Sequence, residues 1–260
     1  MIIKILGKVV SMAFFILISV AATAKNKGQY FQITVYHFSG AAQEQLLDDY
    51  LANAWLPYAH KLGVQQVGIF KPISNDTSAD KTLYVIRSFK SIEQLAKVAD
   101  KMWEVANYTG AGDYINSNYK TPPFTRMDNT IASAFAMAPV LTLPTLSSVK
   151  TDRIYEFRSY ESATEKIHNN KVEMFNQGGE VALFTRLNFN AVFYGKVVAG
   201  SKMPNLVYMT SFENMDDRNA HWKTFVADEE WKKLSAMPIY KNNVSKSDVI
   251  LMKATAYSDF

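Results

Sequence analysis

Two short strands of this chain alternate polar side chains of the kinds that bind or activate small molecules. They are Gln32, Thr34 and Tyr36 in Phe31-Gln-Ile-Thr-Val-Tyr36, and Glu156, Arg158 and Tyr160 in Tyr155-Glu-Phe-Arg-Ser-Tyr160. Successive side chains of a strand point to opposite faces, so each trio shares one face. The other set, Phe31, Ile33, Val35, Tyr155, Phe157 and Ser159, is mostly apolar and is expected to lie under helices. In a barrel the polar trios would then point inward. Such an interior is either a satisfied polar network with a solvated mouth or a pocket for a small polar or acidic molecule. In a pocket, Arg158 would anchor an anion, and Tyr36 and Tyr160 would supply hydroxyl donors. Buried charges are costly unless paired, so Glu156 and Arg158 need partners. Arg87 is a further candidate whose strand face the pattern leaves open.

The elements that must position these residues occur twice. Leu83-Tyr-Val-Ile-Arg-Ser-Phe89 is echoed by Leu206-Val-Tyr-Met-Thr-Ser-Phe212, at nearly the offset that separates the two strands above. Each copy reads strand, helix, two strands, helix, strand. In the first copy, strands are predicted at about 30–38, 67–73, 82–89 and 131–137. A helix is predicted over about 41–62, kinked at Pro57 and stopped by Gly63. Ser91-Ile-Glu-Gln94 is a capping box opening a second helix. In the second copy, strands are predicted at 152–160, 191–198, 205–212 and 249–255. Helical pieces are expected at about 163–175 and 180–187, then after the caps Asn214 and Asp228. Trp222, Phe225 and Trp231 sit at helical spacing and read as core.

This βαββαβ order specifies an antiparallel four-stranded sheet with both helices on one face. The bare face needs cover, and the second copy can supply it. The predicted fold class is α+β: two tandem ferredoxin-like domains, residues 28–138 and 151–260, joined by a linker at 139–150 and forming one intramolecular barrel.

Lys4 and Lys8, the apolar run Met12–Val20 and the small residues Ala22-Thr23-Ala24 have the pattern of a signal peptide over residues 1–24. The run is shorter than a membrane span requires. The expectation is cleavage near Ala24, a periplasmic or secreted bacterial protein, and no stable membrane anchor afterwards. A lipid anchor would need a cysteine, and the chain has none. The 28 Lys and Arg against 24 Asp and Glu leave little net charge. With no basic stripe interleaved with aromatics, nucleic acid is disfavoured as a partner. Gly110-Ala-Gly112 is not a dinucleotide fingerprint, and neither a Gly-x-Ser-x-Gly elbow nor a phosphate loop is present. The four histidines (37, 60, 168, 221) lack metal-ligand spacing, so no zinc site is expected. Self-association through sheet edges would allow a homo-oligomer.

The second copy resembles the NIPSNAP family. The features are Arg153-Ile-Tyr-Glu-Phe-Arg-Ser-Tyr160, Lys171-Val-Glu-Met-Phe175, Gly200-Ser-Lys-Met-Pro-Asn-Leu-Val-Tyr-Met209 and Ala220-His-Trp-Lys-Thr-Phe-Val-Ala-Asp-Glu-Glu-Trp231. The first copy resembles the N-terminal half of two-domain bacterial members through Leu56-Pro57, Val67-Gly-Ile-Phe-Lys-Pro72 and Leu83–Leu95. The resemblance implies a fold of the dimeric α/β-barrel superfamily and little chemistry, and the expected function is a small-molecule-binding or accessory/interaction module that engages a small molecule or a protein. The wider superfamily also contains haem-binding and cofactor-free oxygenases. The alternative function is therefore an oxygenase or haem-dependent enzyme using Arg158 and Tyr160, with His221 as axial ligand. Without that role His221 is a capping or surface histidine, and no cofactor is expected.

Overall fold

The structure, a computed structural model, describes residues 28–260 apart from residue 109. The predicted signal peptide lies outside the described residues. Among them, no helix is long and apolar enough to cross a membrane. The first half contains β1 (Tyr30–Phe38), α1 (Ala41–Tyr50), α2 (Leu56–Lys61), β2 (Gly68–Pro72), β3 (Lys81–Phe89), α3 (Ile92–Met102), α4 (Gly112–Ile115) and β4 (Arg126–Ala134). The second contains β5 (Ile154–Glu161), α5 (Glu165–Asn176), α6 (Glu180–Arg186), β6 (Ala191–Ala199), β7 (Asn205–Phe212), α7 (Met215–Ala227), α8 (Glu229–Ala236) and β8 (Lys246–Ala254).

Local chemistry explains the boundaries. Between α1 and α2, residues Leu51–Trp55 form a π-helical turn rather than a sharp kink. Pro57 has no amide hydrogen and crowds the carbonyl one turn back, and widening that turn relieves both problems. Gly63, at φ +82°, ends the helix where a side chain would be strained. The Ser91 hydroxyl accepts from the Gln94 amide at 3.2 Å, while the Gln94 side chain accepts from the Lys90 amide at 2.7 Å. Asn214 and Asp228 cap α7 and α8 in the same way.

All eight strands form one closed antiparallel barrel in the order β1-β3-β2-β8-β5-β7-β6-β4. Each half contributes four adjacent strands, in the order β4-β1-β3-β2 and β8-β5-β7-β6. Two seams join them: Phe70–Pro72 of β2 against Met252–Ala254 of β8, and Ile131–Ala134 of β4 against Gly195–Ala199 of β6. A Cβ on Gly195 would lie 2.8 Å from that of Ala132, so the second seam needs glycine there. Both seams are short, and Arg126–Thr130 of β4 and Lys246–Leu251 of β8 extend beyond them.

The barrel reverses the predicted faces. Phe31, Ile33, Tyr155 and Phe157 point into the barrel, where they pack with Phe70, Ile86, Phe193, Met209, Met252 and Phe260 in one core shared by both halves. An eight-stranded barrel has an interior just wide enough to be filled by side chains, and aromatic rings fill most of this one, leaving room only towards one end. The polar trios therefore face outward, beneath the helices of their own halves. One barrel end is stoppered by Phe260, whose ring meets Phe70 edge-on at 5.4 Å. The adjoining backbone is pinned by Ile69 N–H to Ser258 Oγ at 2.9 Å and Val67 N–H to Asp259 Oδ2 at 2.7 Å.

Between β4 and β5 the chain crosses from one half to the other without regular structure. The Glu213 carboxylate holds this crossing, accepting from Ser147 N–H at 2.9 Å and Ser148 N–H at 2.7 Å. Hydrogen bonds from Ser148 and Ser147 pull the Glu213 pKa down to about 2. A depressed carboxylate stabilises above its unfolded pKa and loses that contribution as pH falls through its folded one. Pepsin cleavage within residues 139–150 should therefore rise as the pH is lowered from 4.5 towards 2. In Glu213→Gln the same susceptibility should already be present at the upper end of that range.

Candidate functional site

Glu156, Arg158 and Tyr160 leave the outer face of β5 at alternate positions and meet α7 above them. Glu156 is fully buried and accepts from three residues, one of them, Arg218, through two nitrogens. Arg158 Nε donates to Oε1 at 2.5 Å, Arg218 Nε to Oε2 at 2.7 Å and Trp222 Nε1 to Oε2 at 2.8 Å. Arg218 and Trp222 are four residues apart on α7 and so share one helix face. The Arg158 guanidinium sits over the Trp222 ring, its central carbon 3.8 Å from the centroid. Its Nη1 donates to the Tyr160 hydroxyl at 2.9 Å, and that hydroxyl meets the Tyr208 hydroxyl at 2.9 Å. From α5 and α6, Lys171 Nζ and Glu180 Oε2 form a buried pair at 2.9 Å.

These groups line a cleft of about 530 Å³ between the sheet and the helices of the second half. Its floor is Tyr208, Lys171 and Glu180. Phe225 and Trp231 form a wall, and Val226, Val244 and Ser247 stand at the rim. Three cations, Arg158, Lys171 and Arg218, meet two carboxylates, Glu156 and Glu180. One positive charge is in excess.

Burial would by itself lower the Arg158 pKa, but the Tyr208 and Tyr160 hydroxyls and the Glu156 carboxylate outweigh it and keep the guanidinium charged. Burial pushes the Glu180 carboxyl up against the opposing pull of Lys171. It pushes the Tyr208 hydroxyl well above its ordinary range, so that hydroxyl stays protonated. The cleft can thus orient an anion on guanidinium groups and stack its body on aromatic rings.

The other predicted residues do not join this cleft. Gln32, Thr34, Tyr36 and Arg87 lie under the helices of the first half. Gln32 Nε2 and Thr34 Oγ1 both donate to Asn129 Oδ1, at 2.9 and 2.6 Å. Arg87 Nε donates to Gln32 Oε1 at 3.0 Å, and its guanidinium stacks against Trp55 and Phe89. Burial draws the Arg87 pKa down to about 10 and pushes the Tyr36 hydroxyl up to about 12. Tyr36 packs in the helix-side core of that half and offers no hydroxyl to the cleft.

His221 is also outside the cleft. Its ring sits between Phe189 and Phe212, and its Nδ1 is held by the Asp217 carbonyl at 2.9 Å. A haem in the cleft would find no histidine lining it, so the residues present do not fit that group. Among the described residues, no cluster of three His, Asp or Glu side chains could hold a metal ion.

Sequence reasoning missed Arg218, Lys171 and Glu180. The spacing of Arg218 to Trp222 was available as a signal. The pairing of Lys171 with Glu180 was not, because it depends on the turn at Gly178-Gly179. Trp222, Phe225 and Trp231 are cleft walls as well as core, a correction to their reading as core alone.

An eight-stranded α/β barrel with a cationic, aromatic-walled cleft under the helices of one half is the class of protein that this fold and site define. Residues 155–259 match the NIPSNAP family model. No curated protein matches the chain. Among solved structures, a candidate monooxygenase from Fusobacterium nucleatum is similar at 9% identity and TM-score 0.56, over 88% of this chain and 93% of that one. Another from Lactobacillus acidophilus is 11% identical at TM-score 0.54, over 88% and 94%. An anthrone oxidase-like protein is 9% identical at TM-score 0.55, over 89% and 93%. At such identities the likeness is one of fold alone.

Proposed function

We propose that the chain is an exported binding or accessory module whose second-half cleft takes a small organic anion with an aromatic or apolar body. The observation that carries this reading is the excess cation beside Trp222. Arg158 and Arg218 share one buried carboxylate, yet their side chains keep 16% and 20% exposure, so both can reach an incoming anion. Two tandem ferredoxin-like domains, forming within one chain the barrel that the superfamily makes as a dimer, fit the repeated βαββαβ order and the matching strand order of the halves. Export rests on the pattern of residues 1–24.

Titration with benzoate, followed by calorimetry, tests the cleft. Benzoate should bind at least about tenfold more tightly than benzamide, because only the carboxylate makes charge-assisted hydrogen bonds. Arg218→Gln should weaken benzoate by about tenfold or more and leave benzamide nearly unchanged. Equal affinity for the two probes, or an Arg218 variant that binds benzoate as before, would refute the reading. A second reading, a cofactor-free oxygenase in the same cleft, draws on the Tyr160 hydroxyl held between Arg158 and Tyr208. It requires oxygen uptake with a polyhydroxylated aromatic acid above the protein-free rate, lost in Tyr160→Phe.

A further inference from the structure

We propose that the open end of the barrel is a second binding site, separate from the cleft, for a small uncharged aliphatic alcohol. The end stoppered by Phe260 is filled with large rings, whereas the inward positions near the other end include Val35, Ser159 and Val207, beside the Tyr84 ring. Smaller side chains leave a cavity of about 170 Å³ there, lined by residues of both halves. That volume corresponds to about five or six waters at about 30 Å³ each, enough for a short-chain alcohol.

The polar demand of the cavity comes from Asn205. It lines the cavity and is only 3% exposed. Its Nδ2 donates to Ser159 Oγ at 2.9 Å, while its Oδ1 has no hydrogen-bond partner among the described protein groups. A buried acceptor left unsatisfied is costly, and a hydroxyl donated by a ligand removes that cost.

The charged groups around the opening are already matched. Asp248 pairs with Lys202 at 2.5 Å. Asp128 pairs with Arg126 at 2.7 Å and meets His37 Nε2 at 3.4 Å, and His37 Nδ1 meets Asp80 at 3.0 Å. The site therefore asks for a donor rather than for a net charge. The apolar walls, Ile33, Phe157 and Ile250, suit a chain of a few carbons. An alcohol presents both parts: its O–H to Asn205 and its tail to the ring of Phe157.

Nuclear magnetic resonance of the whole protein with n-butanol and with methyl propyl ether tests this. The two probes are nearly isosteric, but only the alcohol has a hydrogen to donate. Butanol should saturably shift the Asn205 side-chain amide and the Phe157 ring signals, and the ether should bind about tenfold or more weakly. Asn205→Leu should abolish that preference. If this variant does not fold, the comparison of the two probes on the unaltered protein still decides. Equal saturation by both, no movement of the barrel-end signals, or shifts centred on Trp222 instead would overturn the proposal.

Discussion

Replacing Glu156 with leucine should lower the unfolding free energy by about 3–5 kcal/mol in urea denaturation. The side chain is fully buried and is the shared acceptor for Arg158, Arg218 and Trp222 Nε1. Leucine nearly preserves the volume, so the loss reports electrostatics rather than a cavity. It would leave two guanidinium groups facing each other across an apolar side chain, an uncompensated buried charge of the most costly kind. Glu156→Gln should cost less, since it keeps an acceptor for one donor. Removing this negative charge should also tighten benzoate binding, because the cationic excess of the cleft grows. A loss below about 1 kcal/mol would show that water already screens the arginines, as it does surface pairs.

Phe193→Ala should cost about 3–5 kcal/mol by the same measurement, through lost burial and the cavity left behind. The Phe193 ring is 1% exposed at the centre of the barrel, 4.8 Å from Phe31 of the first half and 6.4 Å from Phe157 of the second. Because its neighbours come from both halves, the loss should not be confined to one of them. Trp55 lies in the first half, and Trp222 and Trp231 lie in the second. Single-tryptophan variants should report one coincident transition in both the parent and Phe193→Ala backgrounds. Separated transitions would mean that the halves fold independently and that the shared core contributes little.

Much of the fold was legible in the sequence because each half is locally consistent. The strand Asn205–Phe212 was expected at 205–212 and the strand Tyr30–Phe38 at about 30–38, and the glycine stop and the caps Ser91, Asn214 and Asp228 stand where their chemistry placed them. The faces were not legible. Alternation identifies a buried face only when the other face meets water, and here both are covered. Every residue of Asn205–Phe212 is buried. A strand between a filled barrel and a helical layer carries no label saying which side is which. The polar side chains of β5 were assigned to the interior, but the barrel is too narrow and too aromatic to hold them. They satisfy one another against α7 instead. The candidate site was half legible for the same reason. Glu156, Arg158 and Tyr160 are together as expected. Their partners Arg218, Lys171 and Glu180 come from helices whose rotation about the sheet only tertiary packing fixes. The last strand of the first half begins at Arg126, earlier than its apolar residues suggested, because Arg126–Thr130 is stabilised by pairing with β1 and not by burial.

A barrel assembled from two identical polypeptides must repeat every side chain about its dyad, and any chamber it forms must come in duplicate. This ring is free of that obligation. Gln32 and Thr34 occupy in the first half the places that Glu156 and Arg158 occupy in the second. The clamped carboxylate therefore exists once, and saturation should end at one equivalent of anion per polypeptide. Within one polypeptide the site has no equivalent twin, and the outward face of the first half is free to carry different chemistry.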